Sequence, residues 1–219
     1  ENSPLRSVNE RMILTPHLGT STTEAQENVA IYVAEQIRDV LLGLPARSAV
    51  NIPGLSAEVM EKLKPHLQLA ETLGLLSSQL AGGNTQELEV RLQGEFAKHP
   101  SHPIVVAILR GFLASALGEQ INYVNASLEA KGRGINVLEV KDEASKDFAG
   151  GSLQLKTRAN EEVHSVSGTV FADHGLLITG IDEFPVNVAP SQHMLFTRHR
   201  DMPGIIGRLG SVLGQHNVN

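Results

Sequence analysis

One histidine stands where the residue types and their spacing are best suited to chemistry. His17 follows Pro16 and precedes Leu18 and Gly19, and a short apolar run, residues 12–15, comes just before it. The run predicts a buried strand and the proline and glycine predict a loop, so we expect His17 at the end of a strand. An imidazole has an ordinary pKa of about 6.5 and can give and take a proton near neutral pH. A histidine in such a place is therefore chemically suited to proton transfer.

The residues after this loop strengthen the prediction. Ser21 and Glu24 have capping-box spacing, which predicts a helix that begins near Thr22. A lone His-x-Gly is more typical of an ordinary loop, in which the histidine makes a routine hydrogen bond. The eleven residues 16–26, however, resemble the histidine signature of the D-2-hydroxyacid dehydrogenases, in which a strand-end histidine is followed by a glycine and a capped helix.

That resemblance implies roles for the loop residues. It implies that His17 is the catalytic residue, which protonates the substrate oxygen in reduction and removes the hydroxyl proton in oxidation. It also implies that the loop lies against the nicotinamide of NAD, so that His17, Leu18, Gly19 and Thr20 contact the cofactor. Gly19 suits this place because a residue without a side chain lets the backbone approach a flat ligand closely.

The remainder of a dinucleotide site is missing from the printed sequence. The sequence contains no G-x-G-x-x-G motif, the phosphate-binding loop of that family. We expect the family's substrate-binding arginine and its histidine-orienting glutamate to lie upstream of Glu1. These 219 residues are therefore expected to be the C-terminal part of a longer enzyme, and to be inactive alone.

A second candidate site lies near the C-terminal end. The segment 199–204, HRDMPG, precedes an apolar helical pattern, and the sequence ends in Asn219. This arrangement resembles the opening of an ACT domain, a small ferredoxin-like unit that binds amino acids at subunit interfaces. The resemblance implies an effector site at His199, Asp201 and Asn219, with L-serine as the expected effector. An ordinary helix N-cap at Asp201, with Pro203 in the first turn, explains the pattern equally well.

Helices and strands are predicted between the two candidate sites. Periodicity predicts helices over 56–64, 66–81, 103–117 and 122–131, and strands over 87–96, 136–141, 152–158, 163–171, 176–181 and 193–199. The expected fold class is a multidomain α+β and α/β protein. Residues 1–52 would end a dehydrogenase catalytic domain, 53–190 would form a helix-plus-sheet intervening domain, and 191–219 would begin a truncated ACT domain.

The intervening domain indicates the substrate. The long phosphoglycerate dehydrogenases insert such a domain before the ACT unit, so the resemblance implies NAD-dependent oxidation of 3-phospho-D-glycerate to 3-phosphohydroxypyruvate in L-serine biosynthesis. One alternative is another enzyme of the class, such as a glyoxylate or hydroxypyruvate reductase. The other is a regulatory and oligomerisation fragment that binds serine or a small anion. The basic residues near the strands are candidates for an anion site, although surface solubility explains them more simply; they are Arg133, Lys141, Lys146 and Arg158.

Composition and residue spacing argue against several other kinds of partner and site. The formal net charge is −6 and no run of basic residues occurs, so nucleic acid is not an expected partner. The sequence has no cysteine, which excludes disulfides and thiolate metal sites. His99 and His102 lack further ligands at suitable spacing, so we predict a loop and a helix start there and no metal.

The longest apolar stretch, residues 104–117, is predicted to be a buried helix. It falls short of the roughly 20 residues needed to cross a bilayer, so no membrane contact is expected. We expect a cytoplasmic homo-oligomer, a dimer or a tetramer, because ACT units pair across subunits and a half-built sheet needs a neighbour. A plastid or another organelle is left open.

Overall fold

The structure is a computed structural model that describes residues 16, 18–41, 57–144, 151–171 and 175–218. Its elements, in chain order, are α1 (Thr23–Leu41), α2 (Ala57–Ala81), β1 (Glu87–Gln93), α3 (Glu95–Lys98), α4 (Ser101–Leu117), a 3-10 helix (Gly118–Gln120), α5 (Ala126–Gly132), β2 (Asn136–Asp142), β3 (Ser152–Ala159), β4 (Glu162–Phe171), β5 (Gly175–Ile181), β6 (Phe184–Val188) and α6 (Ile205–Gln215). The predicted strand at 12–15 lies outside the described residues, and so do His17, Lys146 and Asn219.

One mixed sheet with a helical layer on one face forms the middle of the molecule. The strand order is β2-β1-β3-β4-β5-β6. Strands β1 and β2 are parallel, and every other neighbouring pair is antiparallel. The chain returns from β1 to β2 through α3, α4 and α5, as a parallel pair requires a long crossover. The predicted helix-plus-sheet architecture of the intervening region is confirmed.

The hydrophobic core lies between the sheet and the helices. In β1 every second side chain is buried, because alternate residues of a strand point to opposite faces. Helix α2 crosses β3, β4 and β5, and α4 packs beside α2. The largest fully buried side chains are Phe96, Leu63, Leu69, Leu73, Leu88, Leu92, Ile104, Ile108, Leu109, Leu153, Leu155 and Ile178. The predicted strand ended at Phe96, whereas the structure places this residue in α3.

Helices α2 and α4 run in the same direction and approach very closely. Arg110 donates to Glu71 near their middle, and the hydroxyl groups of Ser78 and Ser115 are 2.6 Å apart further along both helices. Gly74 and Gly111 make the approach possible. A Cβ on either glycine would collide with the backbone of the other helix, so a larger residue at these positions would force the helices apart.

Helix α2 corrects one prediction. Two helices were expected on either side of Pro65, but a single helix of 25 residues contains the proline. A proline inside a helix removes one backbone hydrogen bond. Leu63 and Leu69, on either side of it, are both fully buried in the core, so packing holds both halves in one helix.

The region after β5 differs most from the predictions. Strand β6 was missed because it is only five residues long and contains Pro185. The strand predicted over 193–199 is wrong: no regular structure is assigned there, since no described strand supplies backbone partners to this segment. The C-terminal helix is confirmed as α6.

Helix α4 is the buried helix that its sequence predicts, with nine buried residues. Together with the 3-10 turn that follows, it reaches 20 residues, Ser101–Gln120, and is then long and apolar enough to cross a membrane by length and composition. Half of that window is buried within the fold, as is usual for the core helix of a protein that spans no membrane.

Candidate functional site

The loop that precedes α1 is a compact turn held by its own hydrogen bonds. The backbone N–H of Ser21 donates to the carbonyl of Leu18 over 3.1 Å, and the Ser21 hydroxyl donates to the same oxygen over 2.8 Å. The Gln26 side-chain amide reaches back to the carbonyl of Thr20 over 3.2 Å. Leu18, Thr20 and the first turn of the helix are thereby fixed to one another.

The start of α1 agrees with prediction, but its cap does not. The hydroxyl of Thr22 accepts a hydrogen bond from the backbone N–H of Ala25 over 3.1 Å, so Thr22 is the N-cap. The predicted capping box of Ser21 and Glu24 is therefore wrong, because the Ser21 hydroxyl is directed to the Leu18 carbonyl instead. The sequence offers several hydroxyl residues in a row, and the capping pattern alone did not choose among them.

The surface of this loop is open. A Cβ on Gly19 would meet no atom of the described residues within 4 Å, and the side chain of Leu18 is 58% exposed. Such an open glycine loop fits the approach of a flat ring. His17 itself lies outside the described residues, so the roles of His17, Leu18, Gly19 and Thr20 stay predictions.

Helix α1 carries apolar side chains that no described element covers. Asp39 is its one buried residue among those whose side chains are described, and it accepts a hydrogen bond from Arg38 at 2.7 Å. The exposed apolar residues of the helix are Val29, Ile31, Tyr32, Val33, Ile37 and Leu41. An apolar patch of this kind marks a surface that contacts another part of a protein or another chain.

The loop before α6 contains the predicted effector residues. Gly204 is the N-cap of α6 and has a φ of 89°, a left-handed conformation that favours glycine. Asp201 is exposed and does not cap the helix, and Pro203 precedes the helix instead of lying in its first turn. Both parts of the ordinary N-cap alternative are therefore wrong. The effector roles of His199, Asp201 and Asn219 stay predictions.

A cleft of about 480 Å³ lies between the β5–β6 turn and the segment that follows β6. His164 of β4 and Asp182 of the turn line it, and the histidine Nδ1 is 3.2 Å from the nearer carboxylate oxygen. The same carboxylate accepts the backbone N–H of Ser165 over 2.9 Å. This arrangement fixes the orientation of the His164 ring.

Arg198, on the segment that follows β6, connects the second wall of the cleft to the sheet. Arg198 donates to Glu183 over 2.9 Å, and its guanidinium lies 5.5 Å from the centre of the Phe184 ring. His199 follows and also lines the cleft. Sequence reasoning missed His164, Asp182 and Arg198, because a hairpin turn and a loop far along the chain bring them together. The one available signal was Asp182-Glu183, a polar pair between two apolar runs.

Two histidines meet on the other side of the fold. The rings of His66 and His99 are 4.7 Å apart, and the ring of Phe96 is 4.6 Å from that of His66. Burial and then the neighbouring His99 lower the pKa of His66, and burial lowers the pKa of His99. The loop predicted at His99 and the helix start at His102 are confirmed. Within the described ranges, no group of three His, Asp or Glu side chains could hold a metal ion.

The predicted basic residues are not brought together. Arg158 lies near Glu87 at the start of β1, whereas Lys141 pairs with the far end of that strand. Lys141 donates to the carbonyl of His99 over 3.3 Å. Arg133 lines a separate cavity of about 530 Å³ at the C-terminal ends of α2 and α4. The described members of the set therefore form no single anion site.

The comparison with protein families decides the identity of the sheet and its helices. The D-3-phosphoglycerate dehydrogenase intervening domain matches residues 62–182, which is more than half of the 219 residues. The chain belongs to the D-3-phosphoglycerate dehydrogenase family. Its intervening domain is the body formed by α2 to α5 and most of the sheet, which includes the His164–Asp182 pair.

Individual relatives agree with this assignment. The chain is 60% identical over 209 residues to the D-3-phosphoglycerate dehydrogenase of Synechocystis, with 95% of this chain and 38% of the relative covered. It is 35% identical over 208 residues to that of Bacillus subtilis, covering 95% and 39%. It is 32% identical over 227 residues to the chloroplastic D-3-phosphoglycerate dehydrogenase 2 of Arabidopsis thaliana, covering 96% and 36%. The chain spans about two fifths of the length of these relatives.

Proposed function

We propose that this chain is the C-terminal part of an NAD-dependent enzyme that oxidises 3-phospho-D-glycerate to 3-phosphohydroxypyruvate, the step that commits carbon to L-serine. The observation that supports it is the coincidence, in one chain, of the matched intervening domain at 62–182 and the histidine loop before α1. The names of the relatives favour phosphoglycerate over glyoxylate or hydroxypyruvate.

In this proposal His17 removes the proton from the substrate hydroxyl. NAD, when bound, would accept the hydride from the same carbon. Thr22 and Ser21 contribute indirectly, since the cap and the turn hold the histidine loop against the first turn of α1. The open backbone at Gly19 leaves room for the nicotinamide ring beside that loop. The printed residues contain no glycine-rich phosphate loop, so we propose that they have no turnover alone.

The test is the substitution His17→Asn in the longer protein. Loss of a general base should lower kcat by about a hundredfold to ten-thousandfold, with NAD binding largely retained. Turnover is followed by NADH absorbance and NAD binding by protein fluorescence. His102→Asn, at an exposed position in the first turn of α4, is the matched control and should keep full turnover. Normal turnover in His17→Asn would remove the assignment.

A second proposal concerns the C-terminal end. We propose that L-serine binds at the loop His199–Gly204, where the exposed Asp201 carboxylate suits an ammonium group. Asn219 would complete the site in a homo-oligomer of the cytoplasmic enzyme. Calorimetric titration with serine tests the idea, and Asp201→Ala should abolish the heat. Binding that survives this change would place serine elsewhere.

A further inference from the structure

The two edges of the six-stranded sheet are built differently. Strand β6 at one edge is five residues long, contains Pro185 and pairs irregularly with β5. Prolines and short strands protect an edge from further pairing. Strand β2 at the other edge is seven residues long, contains neither proline nor glycine, and pairs with β1 in unbroken register. In the described part of the chain no strand adjoins its outer side.

The backbone groups that β2 presents outward can be assigned. The N–H of Asn136 donates to Gln86, and the carbonyl of Asp142 accepts from Gly94, so both residues direct their polar groups towards β1. Because this direction alternates along a strand, Leu138 and Val140 also face β1. The outward N–H and carbonyl groups therefore belong to Val137, Glu139 and Lys141.

We infer that β2 pairs with β2 of a second copy of this chain, antiparallel, about a two-fold axis at Val140. The inference does not depend on the proposed enzymatic activity. In this register Glu139 lies opposite Lys141 of the second copy, and Lys141 lies opposite Glu139. Both are outward-facing residues, so each pair exchanges two backbone hydrogen bonds, and opposite charges meet twice.

Neighbouring registers are disfavoured by charge. An axis at Glu139 would place two Glu139 side chains opposite each other, and an axis at Lys141 would do the same with the lysines. An axis at Leu138 would place Glu139 opposite Val137 and Lys141 opposite Ile135, so neither charge would meet its opposite. A shift by a single residue would align outward groups of one strand with inward groups of the other. Among the registers centred within 138–141, the charge pattern of β2 therefore favours the axis at Val140, where a second copy supplies both complementary charges.

The test uses a disulfide, since the chain contains no cysteine. Val140 would face its own equivalent at a Cα separation of about 4.5 Å, within the range that a disulfide spans. Val140→Cys should therefore form a covalent dimer on mild oxidation. Leu138→Cys is the matched control on the same face, and its equivalents would be about 13 Å apart, too far to bridge. Equal cross-linking of both variants, or none for Val140→Cys, would overturn the inference.

Charge reversal tests the register. In the Val140→Cys background, Glu139→Lys or Lys141→Glu alone should slow cross-linking on the order of fivefold at low salt, because each change creates two like-charge pairs. An equal mixture of the two variants should recover the original rate as a mixed dimer. A mixture no faster than its components would contradict the register. Glu139→Pro removes an outward N–H and should also abolish cross-linking while circular dichroism stays unchanged.

Discussion

Helices α4 and α1 have similar lengths, 17 and 19 residues, and opposite surroundings. Nine residues of α4 are buried between α2 and the rest of the core, whereas the apolar side chains of α1 are exposed. The difference shows that the intervening domain supplies a hydrophobic environment for its own helices. The apolar surface of α1 is suited to contacts outside the described residues. That α1 belongs to a separate catalytic domain stays a prediction.

The largest effect should come from the crossing of α2 and α4. Gly111→Ala places a methyl group against the backbone of Glu71 and should lower the free energy of unfolding by about 3 kcal/mol. Urea unfolding followed by circular dichroism measures it. Gly132→Ala, at the end of α5 with nothing within 4 Å, is the matched control and should be neutral or slightly stabilising. Equal effects of the two changes would mean that the crossing is not tight.

A smaller effect should follow acidification. The pKa values of His66 and His99 are lowered in the folded chain, so below about pH 6.5 the unfolded chain takes up protons that the folded chain does not. Stability is therefore complete above that pH and falls as the pH drops towards the folded-state pKa values. Unfolding free energies between pH 7.5 and 5.5 measure the decline.

Two variants distinguish the effect of the His66–His99 pair from other effects of acid on stability. His66→Phe removes one titrating ring and should flatten the decline, whereas His102→Asn, at an exposed position, should keep it. An identical slope in His66→Phe and in the unaltered chain would show that the pair of rings does not cause the decline.

The smallest effect should come from the exposed helices. Ile31→Ser in α1 and Ile206→Ser in α6 replace side chains that are 60% and 70% exposed, so each should change the unfolding free energy of the intervening domain by less than about 0.5 kcal/mol. Ile108→Ser in α4 is the buried comparison and should cost several times more. A loss at Ile31 similar to that at Ile108 would mean that α1 packs on the core.

The sequence predicted secondary structure and burial best where a residue's structural neighbours are also close along the chain. The two-residue alternation of β1 and the apolar stripe in the second part of α2 predicted both the elements and their buried faces. The long apolar stretch of α4 predicted a buried helix. Predictions failed where distant contacts decide. Packing on both sides of Pro65 keeps α2 continuous, and β6 depends on β5 for its pairing. Residues 193–199 have no neighbouring strand among the described residues.

The same contrast between local and distant contacts applies to the candidate site residues. The turn around Gly19 and the start of α1 could be predicted from local residues, except for the choice of Thr22 as cap. The pairing of His164 with Asp182 and of Arg198 with Glu183 could not, because no periodic pattern links residues that a hairpin and a following loop bring together.

The shared direction of α2 and α4 has an electrostatic consequence. Peptide dipoles of two parallel helices add, so a partial negative charge of roughly half an elementary charge gathers at each C-terminal end, near Ala81 and Leu117. The cavity beside Arg133 opens at this end, and the guanidinium is the natural complement to that field. The two helix ends therefore offset part of the attraction that the guanidinium would exert on a phosphate.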